Sequence, residues 1–426
     1  MRLLIVGGGG REHALALAFA ADDPHHQIYV APGNPGTATA ATNLDISADD
    51  IDRLVDAADA YAIDLIVVGP EVPLALGLAD RLRGEGRAVF GPGASGARIE
   101  ASKAFAKEVM QAAGVPTARS AAFTDAAAAL RYIDLVPEPL VVKASGLAAG
   151  KGAIVCNSRD EARQAVKAML ADHLFGDAGT VVVIEAFLAG EELSVLAITN
   201  GRDVHLLPAA QDHKRLLEGD HGPNTGGMGA YSPVSIATAA VLARIRDEVL
   251  LPTLDELARR NAPYRGVLYA GIMLRPDGTP NVVEFNCRLG DPEAQVVIPL
   301  VGPGLVALLD AAARGEPLPR VDVRDGAAVT TILAAAGYPD APARGAVISI
   351  PEDLDPGVTV YHAGTRRRDD GALVTNGGRV LAVTAVAETF ATARAASLAA
   401  AERISFDGKQ FRRDIGWREA ERARTS

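Results

Sequence analysis

Apolar positions in this chain come as short runs that end in glycine, with segments of helical period between them. LLIV (3–6) runs into GGGG and then REHALALAFA, and QIYVAPGNPG (27–36), DLIVVGPE (64–71) and AVFGP (88–92) repeat the pattern. Strands alternating with helices predict a parallel, doubly wound sheet to about residue 95. The pattern then changes. ASKAFAKEVMQAAG (101–114) reads as one helix stopped by glycine. PLVVKAS, GAIVCNS, TVVVIEAFL, ELSVLAITN and VHLLPAAQ are strands in quick succession, with one clear helix, DEARQAVKAMLAD, among them. That predicts antiparallel or α+β structure. A long helix (238–260) and the strands YAGIMLRPDG and PNVVEFN follow, and GEPLPRVDVRDG (315–326) reads as a linker. The tail carries the strands AVTTILAAAGYP, ALVTN and RVLAVTAV and a helix over 389–403, with TNGG as a hairpin signal and RRRDD (366–370) as a solvated turn. HGPNTGGMGAYSP (221–233) has four glycines, two prolines and no long charged side chain, so it reads as a loop. The expected fold is α/β and α+β multidomain: an N-terminal doubly wound parallel sheet, a central mixed region and a β-rich C-terminal region.

Composition narrows the classes. The chain has 426 residues, enough for about three domains. Hydrophobic residues make up 49% and aromatics only 4%, so the core is aliphatic. A net charge of −11 and a pI near 5.3 argue against a nucleic-acid partner and fit an enzyme of small metabolites. Cys156 and Cys287 lie far apart, with no CxxC motif, which suits a reducing cytoplasm. The apolar run at the N-terminus is too short for a signal peptide, and no stretch approaches the roughly 20 apolar residues of a membrane helix.

Several stretches carry candidate chemistry. GGGGREH (7–13) places glycines at a helix N-terminus, where free N–H groups favour an anion. It is not the dinucleotide fingerprint, because Glu12 stands where the third glycine belongs; a plain turn is the competing reading. APGNPGT and VGPE end neighbouring strands at the sheet's carboxyl edge, and Glu71 there suits ribose hydroxyls. VVKASGLAAGKG (141–152) brings Lys143 and Lys151 to a glycine loop suited to a triphosphate, without matching the Walker pattern. In VVVIEAFLAGEELS (181–194), backbone groups of the strand suit an adenine edge, and Glu192 suits ribose hydroxyls. Glu284 and Asn286, two apart on a strand, face one side as hard oxygen ligands for Mg2+ shared with phosphates. Arg288 and Asp291 follow directly. QDHKRL (211–216) is a dense polar cluster, either a solvated face or part of a site. His213 in it reads as a hydrogen-bonding side chain, since no second histidine sits at ligand spacing.

The ordered set GGREHAL, PGN, VGPE, SKAF, KASGLAAGKG, IEAFLAGEE, QDHKR, PNTGGMGAYSP and EFNCRLGDPE closely resembles the glycinamide ribonucleotide synthetase (phosphoribosylamine–glycine ligase) family of the ATP-grasp superfamily. The likeness extends over the whole chain to RRDIGWR. It implies an N-terminal substrate-binding domain over 1–102, an ATP-grasp domain over 103–318 with its nucleotide lobe at about 115–192, and a C-terminal domain over 324–426. The implied reaction joins glycine to 5-phosphoribosylamine through glycyl phosphate, with release of ADP and phosphate. Lys103, Lys143 and the loop carrying Gly146, Gly150, Lys151 and Gly152 would hold ATP phosphates. Glu185, Phe187 and Leu188 would take adenine, Glu192 the ribose, and Glu284 and Asn286 Mg2+, with Mn2+ as an alternative.

Arg288, Lys143 and Asp212 would be catalytic. Gly9, Gly10, Arg11, Glu12, His13, Pro32, Gly33, Asn34 and Glu71 would hold phosphoribosylamine. Asn224, Thr225, Gly226, Gly227, Met228 and Gly229 would offer backbone N–H groups to glycine, beside Asp212, Lys214, Arg288 and Asp291. A cytoplasmic, stand-alone monomer without nucleic-acid or membrane partners is expected. The competing readings are another ATP-grasp carboxylate–amine ligase and a non-catalytic nucleotide-binding protein.

Two positions depart from the family pattern: Gly8 stands for asparagine and Ser145 for aspartate. Loss of a charge beside the phosphate loop predicts altered kinetics with function retained. Ser145→Asp is therefore expected to change KM for ATP in steady-state assays; an unchanged KM would remove the basis for a role of this position.

Overall fold

A computed structural model gives the structure of residues 1–148 and 152–425. Gly150 and Lys151, expected in the phosphate loop, lie outside the described residues. The first sheet is parallel throughout, in the order Thr42–Asn43, Gln27–Pro32, Arg2–Gly7, Leu65–Val68, Ala88–Phe90. Its middle strand alternates between two cores. Leu3 and Ile5 pack with Leu15, Ala16 and Phe19 of the helix Gly10–Asp22, while Leu4 and Val6 face the opposite layer. Both faces are covered, which is why the strands read as unbroken apolar runs. Each fully buried leucine or phenylalanine contributes about 1.5–3 kcal/mol. The strand ends turn at glycine, and Gly33 has a φ of +70°, open to glycine at little cost.

Beyond this sheet lie two antiparallel ones. The smaller has the order Ser120–Phe123, Val182–Ala186, Leu140–Ala144, Ala153–Cys156, backed by the helices Ala126–Leu135 and Arg159–Leu170. The larger runs Val204–Leu206, Glu191–Thr199, Gly266–Leu274, Pro280–Asn286. The last large sheet is ordered Gln211–Asp212, Gly229–Ser232, Ala327–Ala334, Arg379–Ala387, Val358–His362. It draws strands from both sides of the linker segment at 315–326.

One local expectation is met and four need correction. The helix read over 101–114 is Lys103–Ala113, capped by Ser102, whose hydroxyl accepts the Phe105 N–H at 3.2 Å, and ended at Gly114; a separate helix, Ala94–Ala101, precedes it. Ala126–Leu135 is a second helix in the small-sheet region; its alanine run hid the period, and Asp125 caps it. The long helix holds a wider turn, Arg246–Leu250, just before Pro252, which has no N–H to continue the ladder. HGPNTGGMGAYSP is not a free loop: His221–Asn224 pairs with Arg215–Leu217, and Gly229–Ser232 sits inside the last large sheet. TNGG does not close a hairpin: Leu373–Thr375 pairs with Thr365–Arg367, while Arg379–Ala387 belongs to the other sheet. Tertiary pairing overrode the turn signal in both cases.

The N-terminal and C-terminal regions meet at His13. Its Nδ1 accepts the His362 N–H at 2.9 Å, and its ring packs edge-on against Tyr361 at 5.6 Å. Burial, reinforced by His362, pushes His13 down to about 3; burial, reinforced by Arg367, takes His362 to about 4. The unfolded chain binds these protons first, so the stabilisation is full above the unfolded value near 6.5 and is lost as pH falls towards the folded values. Taking the protein from pH 7 to pH 5 is expected to cost about 2 kcal/mol through His13 alone. His13→Asn, which keeps an acceptor without titrating, is expected to flatten the pH dependence of the denaturation midpoint by that amount. An identical slope in the variant would exclude His13 as its source.

Candidate active site

The break at Ser102 aims the first residue of the next helix, Lys103, at the loop after Leu140–Ala144. Lys103 Nζ donates to the Gly146 carbonyl at 3.3 Å, and its backbone N–H donates to the Ser145 carbonyl at 2.8 Å. Ser145 Oγ accepts the Ala104 N–H at 3.1 Å, so the serine supports the start of this helix. Lys143 leaves the neighbouring strand buried, donating to the Val283 carbonyl at 3.0 Å. Its ammonium pairs with one Glu185 oxygen at 3.1 Å, and Lys107, one helical turn beyond Lys103, pairs with the other at 3.2 Å. Glu185 therefore lies between two lysines, and the Phe187 N–H donates to the Pro139 carbonyl at 3.3 Å. Of the expected adenine contacts, that leaves the exposed Phe187 side chain, the half-buried Leu188 and the backbone carbonyls. Burial, partly offset by Glu185, takes Lys107 down to about 8, and burial also lowers Lys103. The sequence reading missed Lys107, although its i,i+4 spacing from Lys103 is a legible signal. Gly146 and Gly152 flank this corner, with the Gly146 N–H on Ala178 O at 2.9 Å and the Gly152 carbonyl accepting the Ala144 N–H at 2.7 Å.

Glu284 and Asn286 share one face of Pro280–Asn286, opposite Gly271 and Tyr269. Burial alone would raise Glu284, but Lys214, Lys143, Lys103 and Arg288 outweigh it and hold the carboxyl below its usual range. Lys214 binds Glu192 closely and reaches Glu284 at 3.7 Å. Burial works against the Lys214 charge, yet Glu192, Asp212 and Glu284 keep its pKa well above the ordinary lysine value. Asp212 is pushed up by burial and by Glu293, Glu192 and Glu284, against the pull of Lys214. Glu293, also missed from sequence, takes hydrogen bonds from Tyr269 at 2.5 Å and Ser194 at 3.1 Å.

Among the described residues no group of three or more His, Cys, Asp or Glu side chains is arranged to hold a metal by itself. A carboxylate and an amide beside three lysines fit Mg2+ that takes its remaining ligands from phosphates and water. His213 is a hydrogen-bonding side chain: its Nε2 accepts the Gly416 N–H at 2.8 Å.

The N-terminal turn is largely fastened within the protein. Glu12 folds back so that its Oε2 accepts the Gly9 N–H at 2.6 Å, and Arg11 spans Glu12 Oε1 at 2.5 Å and the Leu289 carbonyl at 3.0 Å. Asn34 Nδ2 donates to Gly8 O at 3.0 Å and His362 O at 2.9 Å, while its Oδ1 accepts the Gly36 and Thr37 N–H groups. The side chains of Glu12 and Asn34, expected as phosphoribosylamine contacts, thus have their polar atoms engaged inside the fold, and so has Nδ1 of His13. Pro32 is exposed beside Gly33. A Cβ at position 8 would lie 2.7 Å from the Gly33 carbonyl oxygen, so Gly8 allows the two glycine turns to approach.

Arg288 is held between Glu100, at 2.8 Å, and Glu71, at 3.3 Å. Burial opposes the Arg288 charge but the two carboxylates raise its pKa; burial raises that of Glu100, with Arg288 opposing.

The array of free N–H donors expected over 224–229 also needs correction, because those of 225–228 are engaged. The Thr225 N–H goes to Lys214 O at 2.7 Å, Gly226 to Tyr338 Oη at 3.0 Å, Gly227 to Thr225 Oγ1 at 3.0 Å and Met228 to His213 O at 2.8 Å. Gly229 is held in the sheet opposite Thr331. Asn224 sits at the end of the short hairpin opposite Arg215.

Three consecutive segments match the three profiles of one family. Residues 1–100 match the phosphoribosylglycinamide synthetase N domain, 101–294 its ATP-grasp (A) domain and 328–418 its C domain. The chain is 47% identical over 420 residues to the phosphoribosylamine–glycine ligase of Ralstonia nicotianae, covering 98% of this chain and 99% of that one. It is 48% identical over 424 residues to the enzyme so named from Nostoc sp., with the same coverage. The crystal structure of phosphoribosylamine–glycine ligase from Thermotoga maritima superposes with a TM-score of 0.87 at 38% identity, over 97% of this chain and all of that one. The biotin carboxylase domain of Hydrogenobacter thermophilus 2-oxoglutarate carboxylase shares the fold at 19% identity, with a TM-score of 0.73 over 96% of this chain and 91% of that one.

Replacing Arg288 by methionine would leave Glu100 and Glu71 without their cation. Unfolding free energy is expected to fall by about 3–5 kcal/mol, with part regained in the double variant Arg288→Met/Glu100→Gln. Chemical denaturation measures both, and an unaltered midpoint in the single variant would show that the buried pair contributes nothing.

Proposed function

The chain belongs to the phosphoribosylglycinamide synthetase family, and from that we infer how its site joins glycine to 5-phosphoribosylamine. The reaction is an ATP-dependent ligation of purine biosynthesis that gives glycinamide ribonucleotide, ADP and phosphate. A carboxylate does not accept an amine directly, because the leaving group would be oxide. In the proposed route a glycine carboxylate oxygen attacks the γ-phosphorus of ATP, and ADP leaves. The ribosylamine nitrogen then attacks the carbonyl carbon of glycyl phosphate, the C–O bond to phosphate breaks, and the nitrogen loses a proton.

The observation that carries this reading is the gathering of lysines at Glu284: Lys214 reaches its carboxylate at 3.7 Å, Lys143 donates to the adjoining Val283 carbonyl at 3.0 Å, and the field of these cations with Lys103 and Arg288 holds the carboxyl ionised against burial. Cations at that density suit a polyphosphate, and the carboxylate among them suits the metal that travels with it. Lys103 and Lys143 would hold ATP phosphates with the loop at Gly146 and Gly152; Gly150 and Lys151 belong to the same proposal. Adenine would rest against Phe187 and Leu188, with Glu185 fixing Lys143, and Glu192 would take the ribose. Glu284 and Asn286 would hold Mg2+, or Mn2+ in its place, which when bound neutralises phosphate charge.

Asp212, surrounded by Glu192, Glu284 and Glu293, sits where an ammonium relieves like-charge repulsion, so it is assigned to the glycine ammonium. Arg288, paired with Glu71 and Glu100 at rest, would stabilise the transferring phosphoryl group. Phosphoribosylamine is assigned to the turn at Gly9 and Gly10, with Arg11, Pro32, Gly33, Glu71 and Asp291 around it. The proposed domains run over 1–102, 103–318 and 324–426. A cytoplasmic monomer without a nucleic-acid partner completes the reading. Among the described residues no helix is long and apolar enough to cross a membrane.

The test is ADP release from ATP and Mg2+ with glycine alone, with phosphoribosylamine generated in situ alone, and with both. Turnover is expected only with both. Turnover with a different acid or amine would leave ATP activation standing and overturn the substrate assignment, and ATP binding without turnover on any pair would favour a non-catalytic role.

A further inference from the structure

We propose that Arg379 is a positioning residue that sets Asp291 and the Gly226–Gly227 turn against the N-terminal glycine turn, so that Asp291 can accept a hydrogen bond from phosphoribosylamine. The proposal rests on the ligase reading above. Arg379 opens the strand Arg379–Ala387, directly after the segment TNGG. Because that segment crosses between sheets instead of closing a hairpin, it delivers the arginine from the C-terminal region into the candidate site. One guanidinium nitrogen, Nη1, donates to the Asp291 carbonyl at 2.6 Å and also to the Gly226 carbonyl. The other, Nη2, pairs with Asp291 Oδ1 at 3.4 Å. Tyr338, also from the C-terminal region, accepts the Gly226 N–H, so Gly226 is gripped on both sides. Gly227 has a φ of +105° and lies flat on the next residue of the other segment: a Cβ there would meet Pro292 Cδ at 2.5 Å. Arg379 thus joins two segments 64 to 66 residues apart in sequence.

The carboxylate it holds has two different oxygens. Oδ1 takes Arg379 and a hydrogen bond from Gln295 Nε2 at 2.7 Å. Oδ2 faces the turn before the first long helix: a Cβ on Gly9 would lie 3.2 Å from it. No hydrogen-bond donor among the described residues reaches Oδ2. Gln295 Oε1 is also buried without a partner among them, close to the same turn. A carboxylate oxygen fixed over this turn repels phosphate and attracts donors. It therefore suits a hydroxyl or amine of the sugar, with the phosphate lying elsewhere on the molecule. The planar guanidinium fork supplies what a point charge does not: it fixes the direction of the carboxylate as well as its charge.

The test compares wild type, Arg379→Met, Arg379→Lys and Asp291→Asn in steady-state assays and in calorimetric titration with the product, glycinamide ribonucleotide. In Arg379→Met, KM for phosphoribosylamine is expected to rise about tenfold or more, with a matching loss of product affinity, while KM for ATP changes less than about twofold. Arg379→Lys is expected to regain part of the loss, and Asp291→Asn, with Arg379 intact, to reproduce it. An equal rise in KM for ATP, or unchanged product affinity in either Arg379→Met or Asp291→Asn, would overturn the positioning role. If Arg379→Met does not fold, Asp291→Asn still decides. Wild-type protein that neither turns over nor binds product would instead overturn the ligase reading itself.

Discussion

Buried charge must be paired before any substrate arrives, and the site is organised around that constraint. Three ion networks satisfy it, each joining elements distant in sequence. Arg288 lies between Glu71 and Glu100, Glu185 lies between Lys107 and Lys143, and Lys214 lies between Glu192 and Glu284. Such pairs add little net stability compared with apolar packing, because desolvation offsets the attraction. Their value here is geometric. Each fixes the direction of its cation and carboxylates, and each ties the first sheet, the small antiparallel sheet or the central sheet to a neighbour. The unbalanced remainder is informative too. Around Asp212 carboxylates outnumber cations, and around Glu284 the reverse holds. An ammonium at the first and phosphates at the second would complete the balance, and the ligation brings both.

What the sequence makes legible follows from how local each signal is. The parallel sheet is readable because four of its five strands are apolar runs with a glycine at or just after the carboxyl end, and burial on both faces requires that composition; the edge strand Thr42–Asn43 is polar and carries no such signal. Glu284 and Asn286 stand out because a carboxylate and an amide two apart on a strand must share one face. Lys107 was missed although helix spacing places it beside Lys103. Arg379, Tyr338 and Glu293 carry no such signal, since their partners lie tens of residues away. The misreadings have the same cause. TNGG is a sound hairpin signal locally, but Arg379–Ala387 gains more by pairing between Ala327–Ala334 and Val358–His362. The glycine-rich stretch 221–233 has poor strand propensity, yet Gly229–Ser232 is buried and paired on both sides.

Fold alone does not choose the substrate. The likeness to a biotin carboxylase domain at 19% identity is a likeness of architecture, and function resides in the site carried on it. The lysine–carboxylate apparatus around Glu284 is of a kind suited to any ATP-driven activation of a carboxylate. On the proposed reading, selectivity would come from Asp212 and from Asp291 over Gly9. The C-terminal region holds the neighbouring segments in place, through Arg379 on Asp291 and the strand Ala327–Ala334 beside Gly229–Ser232.

The C-terminal tail extends the same logic. Arg412 is fully buried, and its guanidinium spans the Arg215 carbonyl and Asp220 at 3.0 Å each and Asp414 at 2.7 Å. Asp414 in turn accepts the Gly219 N–H at 2.8 Å, and the Gly416 N–H reaches His213. The motif RRDIGWR therefore grips the hairpin Arg215–Leu217/His221–Asn224 at its tip and its base. The far end of that hairpin leads into Thr225 and Gly226, where Tyr338 and Arg379 take over. A segment rich in glycine cannot hold its own shape, since each glycine loses more conformational freedom on ordering than any other residue. Here the order is imposed from outside, by arginines and a tyrosine from the C-terminal sheet and tail. That arrangement leaves the glycine backbone thin enough to approach its neighbours closely, and rigid enough to keep Asp291 and Asp212 at fixed positions.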